Sequence, residues 1–153
     1  MTDFIRGVRL GIDVGQVRVG VAISDPDGIL ASPLVTLRRD LTIRDDRLPD
    51  DIEEIARLVR THESVGVVVG LPIRLSGEEG PAASGVRAYA EQLDFAIRPV
   101  PIWLSDERMS TVVASRRLAE RGVKGRRQRA VVDQAAAVEI LQRWLDTYRR
   151  QVQ

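Results

Sequence analysis

Residues 8–25 read VRLGIDVGQVRVGVAISD: two apolar runs broken at Gly15-Gln16, with a carboxylate, Asp13, inside the first. An ionisable acid among Leu10, Ile12 and Val14 needs a cation or a basic partner, because burying an unpaired charge is costly. The break is too short for a parallel return, which needs a crossover of about a dozen residues, so the runs form an antiparallel hairpin. Residues 8–14 are expected to be a strand apolar on both faces, with 17–24 as its partner. Residues 28–37, GILASPLVTL, are expected to add a third strand, and Pro33 favours an edge or a bend there.

Beyond this meander the hydrophobic period changes from two to 3.6. Residues 48–62, LPDDIEEIARLVRTH, put Ile52, Ile55, Ala56, Leu58 and Val59 on one helical side. Asp50 or Asp51 is the expected N-cap, with acids in the first turn. Residues 64–72, SVGVVVGLP, suit a parallel strand buried on both faces. A polar loop (IRLSGEEGP), a helix over 82–96 and a strand within 98–108 (RPVPIWLSDER) follow. A helix over 110–121 capped by Ser110, and a last helix over 129–150, complete the order. The expectation is an α/β chain with a mixed five-stranded sheet, a three-strand antiparallel meander plus two parallel strands, and helices on both faces. At 153 residues with no linker or repeat, one domain over 1–153 is expected.

Composition narrows the chemistry. The chain has no cysteine, which excludes thiolate metal sites and cysteine nucleophiles, and its one histidine, His62, stands at a helix end. A hydrophobic fraction of 44% with 29% charged residues is that of a folded, water-soluble chain. Neither a membrane-spanning run nor a signal-peptide pattern is present, so a cytoplasmic location is expected. A net charge of +1 conceals an uneven spread. Residues 40–54 lean acidic, whereas 115–129 carry Arg116, Arg117, Arg121, Lys124, Arg126, Arg127 and Arg129, a candidate phosphate-binding surface.

Three places set carboxylates where packing would prefer something else: Asp13, the pair Asp106-Glu107 at a strand end, and Asp133 among Val132, Ala135, Ala136 and Ala137. Each has a plainer explanation. Asp13 could make a turn, Asp106 and Glu107 could start the helix capped by Ser110, and Asp133 could be a helix-start acid. Converging on one end of a sheet they would instead bind a divalent cation, and all-oxygen donors suit Mg²⁺ or Mn²⁺. The loop RLSGEEG lies at the C-terminal end of a parallel strand, the side on which open α/β sheets bind ligands. Trp103 and Trp144 are read as core or rim residues.

Four blocks, GIDVGQVRVGVAISD, VVVGLPIRLSGEEGP, LSDERMST and VVDQAAAVEIL, together resemble the YqgF/RuvX family over residues 8–141. Members are described as Holliday junction resolvases or pre-16S rRNA nucleases with an RNase H-like fold. The resemblance implies that Asp13, Glu107 and Asp133 are the catalytic, metal-holding acids, with Asp106 as support and Asp13 bridging two ions. It implies a hydrolase that cuts phosphodiester bonds of structured nucleic acid, in 5′-end processing of pre-16S rRNA or in resolving branched DNA. Implied partners are nucleic acid and ribosomal precursor particles, for a monomer or homodimer. Arg18, Arg74, Arg108, Arg116, Arg117, Lys124, Arg126, Arg127 and Arg129 are the expected backbone contacts. The chain departs from the family's usual Lys-Arg pair after Gly15, keeping only Arg18. Two rivals stand beside this: an actin-like nucleotide-binding domain, whose first hairpin also reads Asp-x-Gly, and a non-catalytic nucleic-acid scaffold.

Overall fold

The computed structural model describes residues 4–108 and 126–152. Strands β1 (Arg9–Val14), β2 (Arg18–Ser24) and β3 (Ala31–Arg38) are followed by helix α1 (Asp50–Thr61), β4 (Gly66–Ile73), α2 (Pro81–Ile97), β5 (Ile102–Arg108) and helix α3 (Arg126–Val152). The five strands form one sheet in the order β3-β2-β1-β4-β5. β1 pairs antiparallel with β2, and β2 with β3, whereas β4 runs parallel to both β1 and β5. The mixed sheet expected from the sequence is therefore present, and β3 with its Pro33 is an edge strand. A β-bulge between Val21 and Ala22 on the β2–β3 ladder accommodates that proline.

The two faces of the sheet are unlike. Leu10, Ile12, Val19, Val21, Val67 and Val69 pack against Ile52, Ile55, Val59, Val86, Tyr89 and Leu93 of α1 and α2. Ala22 and Val68 face Ala137, Ile140, Leu141 and Leu145 of α3 on the other side. β1 is thus not apolar on both faces: Leu10, Ile12 and Val14 point one way, and Arg9, Gly11 and Asp13 the other. The second set works because α3 comes down onto backbone there. A Cβ on Gly11 would stand 2.6 Å from Cβ of Leu141 and 3.0 Å from the Ala137 carbonyl oxygen.

Three expected boundaries shift for identifiable reasons. β3 begins at Ala31 rather than at residue 28, because the Asp25 carboxylate accepts the backbone N–H groups of Asp27, Ile29 and Leu30 and folds residues 25–30 into a turn. Asp50 and Asp51 do not cap α1. Pro49 holds the cap position, the Asp50 N–H donates to the carboxylate of Asp40 at 3.0 Å, and Asp51 is buried, accepting the Tyr89 hydroxyl at 2.7 Å. α3 starts at Arg126, so Asp133 lies about two turns inside the helix and is not a helix-start acid. The helix expected over 110–121, with its Ser110 cap, lies outside the described residues. Among the described residues no helix is long and apolar enough to cross a membrane.

Candidate active site

The sheet carries Asp13 and Glu107 on the α3 face, towards the C-terminal ends of the parallel strands. Asp13 pairs with Gly20 across the β1–β2 ladder, and directly paired residues point to the same face. A Cβ on Gly20 would stand 2.6 Å from the carbonyl carbon of Asp133, so the helix backbone at Asp133 rests on the strand beside Asp13. Continuing the β1–β4 register one step past Ile12 and Val69 sets Asp13 beside Gly70. A Cβ on Gly70 would meet Ile140 Cδ1 at 2.6 Å and Glu107 Cγ at 3.3 Å. Gly20, Gly11 and Gly70 are therefore the floor on which α3 lies, with Asp13 and the Asp133 backbone at Gly20 and Glu107 next to Gly70. Glycines inside strand patterns signal such close approach, and that signal was there in the sequence.

Each acid has a distinct setting. Asp13 is half-buried in β1, within the ladder and before the turn at Gly15, whose N–H donates to the Arg18 carbonyl. Asp106 and Glu107 lie within β5 and so do not start a helix; strand alternation separates them. Glu107 is 13% exposed on the α3 side, accepting Ser105 Oγ at 3.3 Å and Arg143 Nη1 at 2.7 Å. Asp106 is 47% exposed and pairs with Arg108 at 3.4 Å. Asp133 accepts Arg18 Nε at 2.7 Å, in a pair whose two side chains are 24% and 32% exposed.

Three hard-oxygen donors over a glycine floor have the chemistry that Mg²⁺ or Mn²⁺ requires, so the residues fit such an ion. As they stand, Glu107 and Asp133 are turned onto arginines, and among the described residues no three acids lie close enough to share an ion.

Arg74 and Arg108 are exposed at the ends of β4 and β5; Arg108 pairs with Ile73 in the ladder and with Asp106, so it lies on the face of β5 opposite Glu107. Arg18 belongs to the acid cluster itself. Arg126, Arg127 and Arg129 open α3, whose first turn holds no acid, while Arg116, Arg117, Arg121 and Lys124 lie outside the described residues. Sequence reasoning missed two arginines. Arg143 reaches Glu107 from far along α3, and Arg39 donates to the Gly15 carbonyl at 3.2 Å while its guanidinium covers the Tyr89 ring, bracing the turn after Asp13. Trp103, Trp144 and Tyr148 stack on one another with centroids 4.7 and 4.9 Å apart, so both faces of Trp144 are occupied internally. This bears out their reading as core and rim.

Known proteins resemble the chain along most of its length. The model of the family described as "RuvX: Holliday junction resolvase" matches residues 7–147. A protein of Rhodococcus erythropolis (strain PR4 / NBRC 100887) named "Putative pre-16S rRNA nuclease" is 54% identical over 149 residues, covering 96% of this chain and 82% of that protein. A protein of the same name from Nocardia farcinica (strain IFM 10152) is 56% identical over 145 residues, covering 95% and 81%. Among solved structures, T. thermophilus RuvC in complex with a Holliday junction substrate superposes with a TM-score of 0.54 at 15% identity, covering 95% of this chain and 96% of that one. At that identity the likeness speaks for an RNase H-like fold alone. The chain belongs to the RuvX family.

Proposed function

We propose that this chain is a metal-dependent endonuclease of structured nucleic acid that processes the 5′ end of pre-16S rRNA during ribosome biogenesis. The observation that carries the reading is the placement of Asp13, Glu107 and Asp133 on one face and at one end of the sheet, drawn from three segments far apart in the chain. The rRNA substrate is supported by the names of relatives more than half identical to it. Asp13, Glu107 and Asp133 would hold Mg²⁺ or Mn²⁺, while Asp106, on the opposite face of β5 and paired with Arg108, would stay outside that ion's reach. Bound there, divalent ions would supply an activated water and would neutralise charge on the phosphate and the leaving oxygen.

The remaining work falls to the chain's own side chains. Arg74 and Arg108, exposed at the ends of β4 and β5, would contact the nucleic-acid backbone. Arg126, Arg127 and Arg129 fall in the first turn of α3, a position in the chain that suits contact with nucleic-acid phosphates. Arg116, Arg117 and Lys124 extend the same basic stretch in sequence. Arg39 keeps the turn after Asp13 in place through the Gly15 carbonyl. Ribosomal precursor particles are the expected partner.

The test is to compare rRNA 5′ ends in cells with and without the protein. Accumulated 5′-extended 16S precursor supports the reading, and an unchanged precursor pool refutes it. A second reading, resolution of branched DNA by a homodimer, is favoured by the description of the matching family model. Symmetric paired cuts in a four-way DNA junction, with no cutting of the rRNA precursor, would select it.

A further inference from the structure

Glu107 and Asp133 each meet a guanidinium, and the one at Glu107 is marked by no sequence motif. Arg143 Nη1 lies 2.7 Å from Glu107 Oε2, and Arg18 Nε lies 2.7 Å from Asp133 Oδ2. The arginines come from different elements. Arg18 stands on β2 two residues before Gly20, facing the turn of α3 that bears Asp133, while Arg143 lies on α3 ten residues beyond Asp133. At about 1.5 Å of rise per residue, Arg143 is anchored roughly 15 Å along the helix from Asp133. The two acids are therefore drawn to separate partners although they share a face of the sheet.

We propose that Arg18 and Arg143 are resident counter-cations of the acidic site, holding Asp133 and Glu107 until a divalent ion competes for the same oxygens. This rests on the proposed role of Asp13, Glu107 and Asp133 in holding that ion. A carboxylate oxygen accepting a charge-assisted hydrogen bond at 2.7 Å has part of its acceptor capacity engaged, and a guanidinium left beside a divalent cation repels it. Without a counter-charge, half-buried carboxylates on one face would repel one another, so an arginine at each is the arrangement that folds without metal. Arg143 is the one suited to yield: its side chain is 55% exposed, so water can receive the guanidinium, whereas Glu107 stays largely covered. Once Glu107 turns to the ion, Arg143 stands at the rim of the site as a cation available to a backbone phosphate. Arg143 is on this account a positioning residue, acting through Glu107.

Titration with Mn²⁺ by calorimetry tests this on the whole chain, comparing wild type with Arg143→Gln, Arg143→Lys and Asp13→Asn. An ion pair this exposed competes only modestly, so Arg143→Gln is expected to bind Mn²⁺ about three- to tenfold more tightly. Arg143→Lys, which keeps the charge, should stay near wild type, and Asp13→Asn should lose the binding. Mn²⁺ affinity unchanged or weakened in Arg143→Gln, with binding still lost in Asp13→Asn, overturns the inference and leaves the ion site standing. Mn²⁺ binding that is absent in wild type, or indifferent to Asp13→Asn, overturns the ion site and the inference with it.

Discussion

Replacing Gly20 by alanine puts a methyl group where α3 touches the sheet. The new Cβ would lie 2.6 Å from the Asp133 carbonyl carbon and nearer still to its oxygen. Ordinary contact begins near 3.4 Å, so helix and strand must part by more than about 0.8 Å. No flexible side chain can absorb the strain, because both partners are backbone. The helix is also seated on Gly11 and Gly70, so retreat at one point tilts it against the others. Overpacking of this kind costs about 1–3 kcal/mol, which for a domain of this size is a fall of roughly 2–12 °C in Tm. The displaced turn carries Asp133, and a misplacement of about 1 Å in a catalytic group costs on the order of a hundredfold in rate. Gly85→Ala is the control. No atom lies within 4 Å of its Cβ position, on the exposed side of α2, so it should gain about 0.5–1 kcal/mol and leave activity alone. Urea unfolding midpoints and metal-dependent cleavage rates of the two variants read out both effects. A Gly20→Ala protein as stable and active as wild type would refute the close seating of α3 and the placement of Asp133 beside Asp13.

Two further outcomes follow from features away from the acids. Arg9 is 1% exposed, its guanidinium beneath Phe4, Tyr148 and Trp144 at 4.9, 5.4 and 5.7 Å and bonded to the Gly7 and Ile5 carbonyls; no carboxylate pairs with it among the described residues, and burial lowers its pKa. A planar cation stacked on rings is not replaced by an ammonium, whereas an apolar stem of similar length removes the buried charge, so Arg9→Lys should lose more stability in urea than Arg9→Met; the reverse order would show that charge alone matters there. The Asp40 carboxylate accepts the Asp50 amide, then Arg44 and the Thr42 amide, and these hold it well below the usual carboxylate range. Its contribution is therefore complete above the unfolded value of about 4 and fades as pH falls towards the folded one, so Asp40→Ala should be less stable than wild type from pH 7 down to about 4, with the gap closing only below that. A gap that closes between pH 7 and 5 would contradict this.

Much of the fold was legible because short-range rules governed it. Gly15-Gln16 could only turn a hairpin, Pro33 could only sit at an edge or bulge, and the Ile52–Val59 spacing could only bury a helix face. Within β1 the alternation of Leu10, Ile12 and Val14 with Arg9, Gly11 and Asp13 was also visible. It nevertheless reads as a doubly apolar strand until the helix lying on Gly11 supplies the reason for a face that is not greasy. The acids Asp13, Glu107 and Asp133 stood out because each interrupts an apolar setting. Arg18 stood out as a phosphate contact rather than as the partner of Asp133, and Arg143 did not stand out at all. Arg143 is one of several charged residues in a long amphipathic helix, and its pairing with Glu107 spans 36 positions with no local signature. The cap of α1 escaped for the same reason. Asp50 and Asp51 satisfy the local capping rule, but Asp40, ten residues upstream, takes the Asp50 amide, while Asp51 is drawn inward by the buried Tyr89 hydroxyl.

The central claim is that Asp13 holds the ion on which cleavage depends. Its most direct test is cleavage of a pre-16S 5′ leader transcript by wild type and Asp13→Asn across a range of Mn²⁺ concentrations. The account predicts that wild type cuts only when the divalent ion is present, and that Asp13→Asn, folded to the same extent, cuts at least roughly a hundredfold more slowly at every concentration. Undiminished cleavage by Asp13→Asn would contradict it.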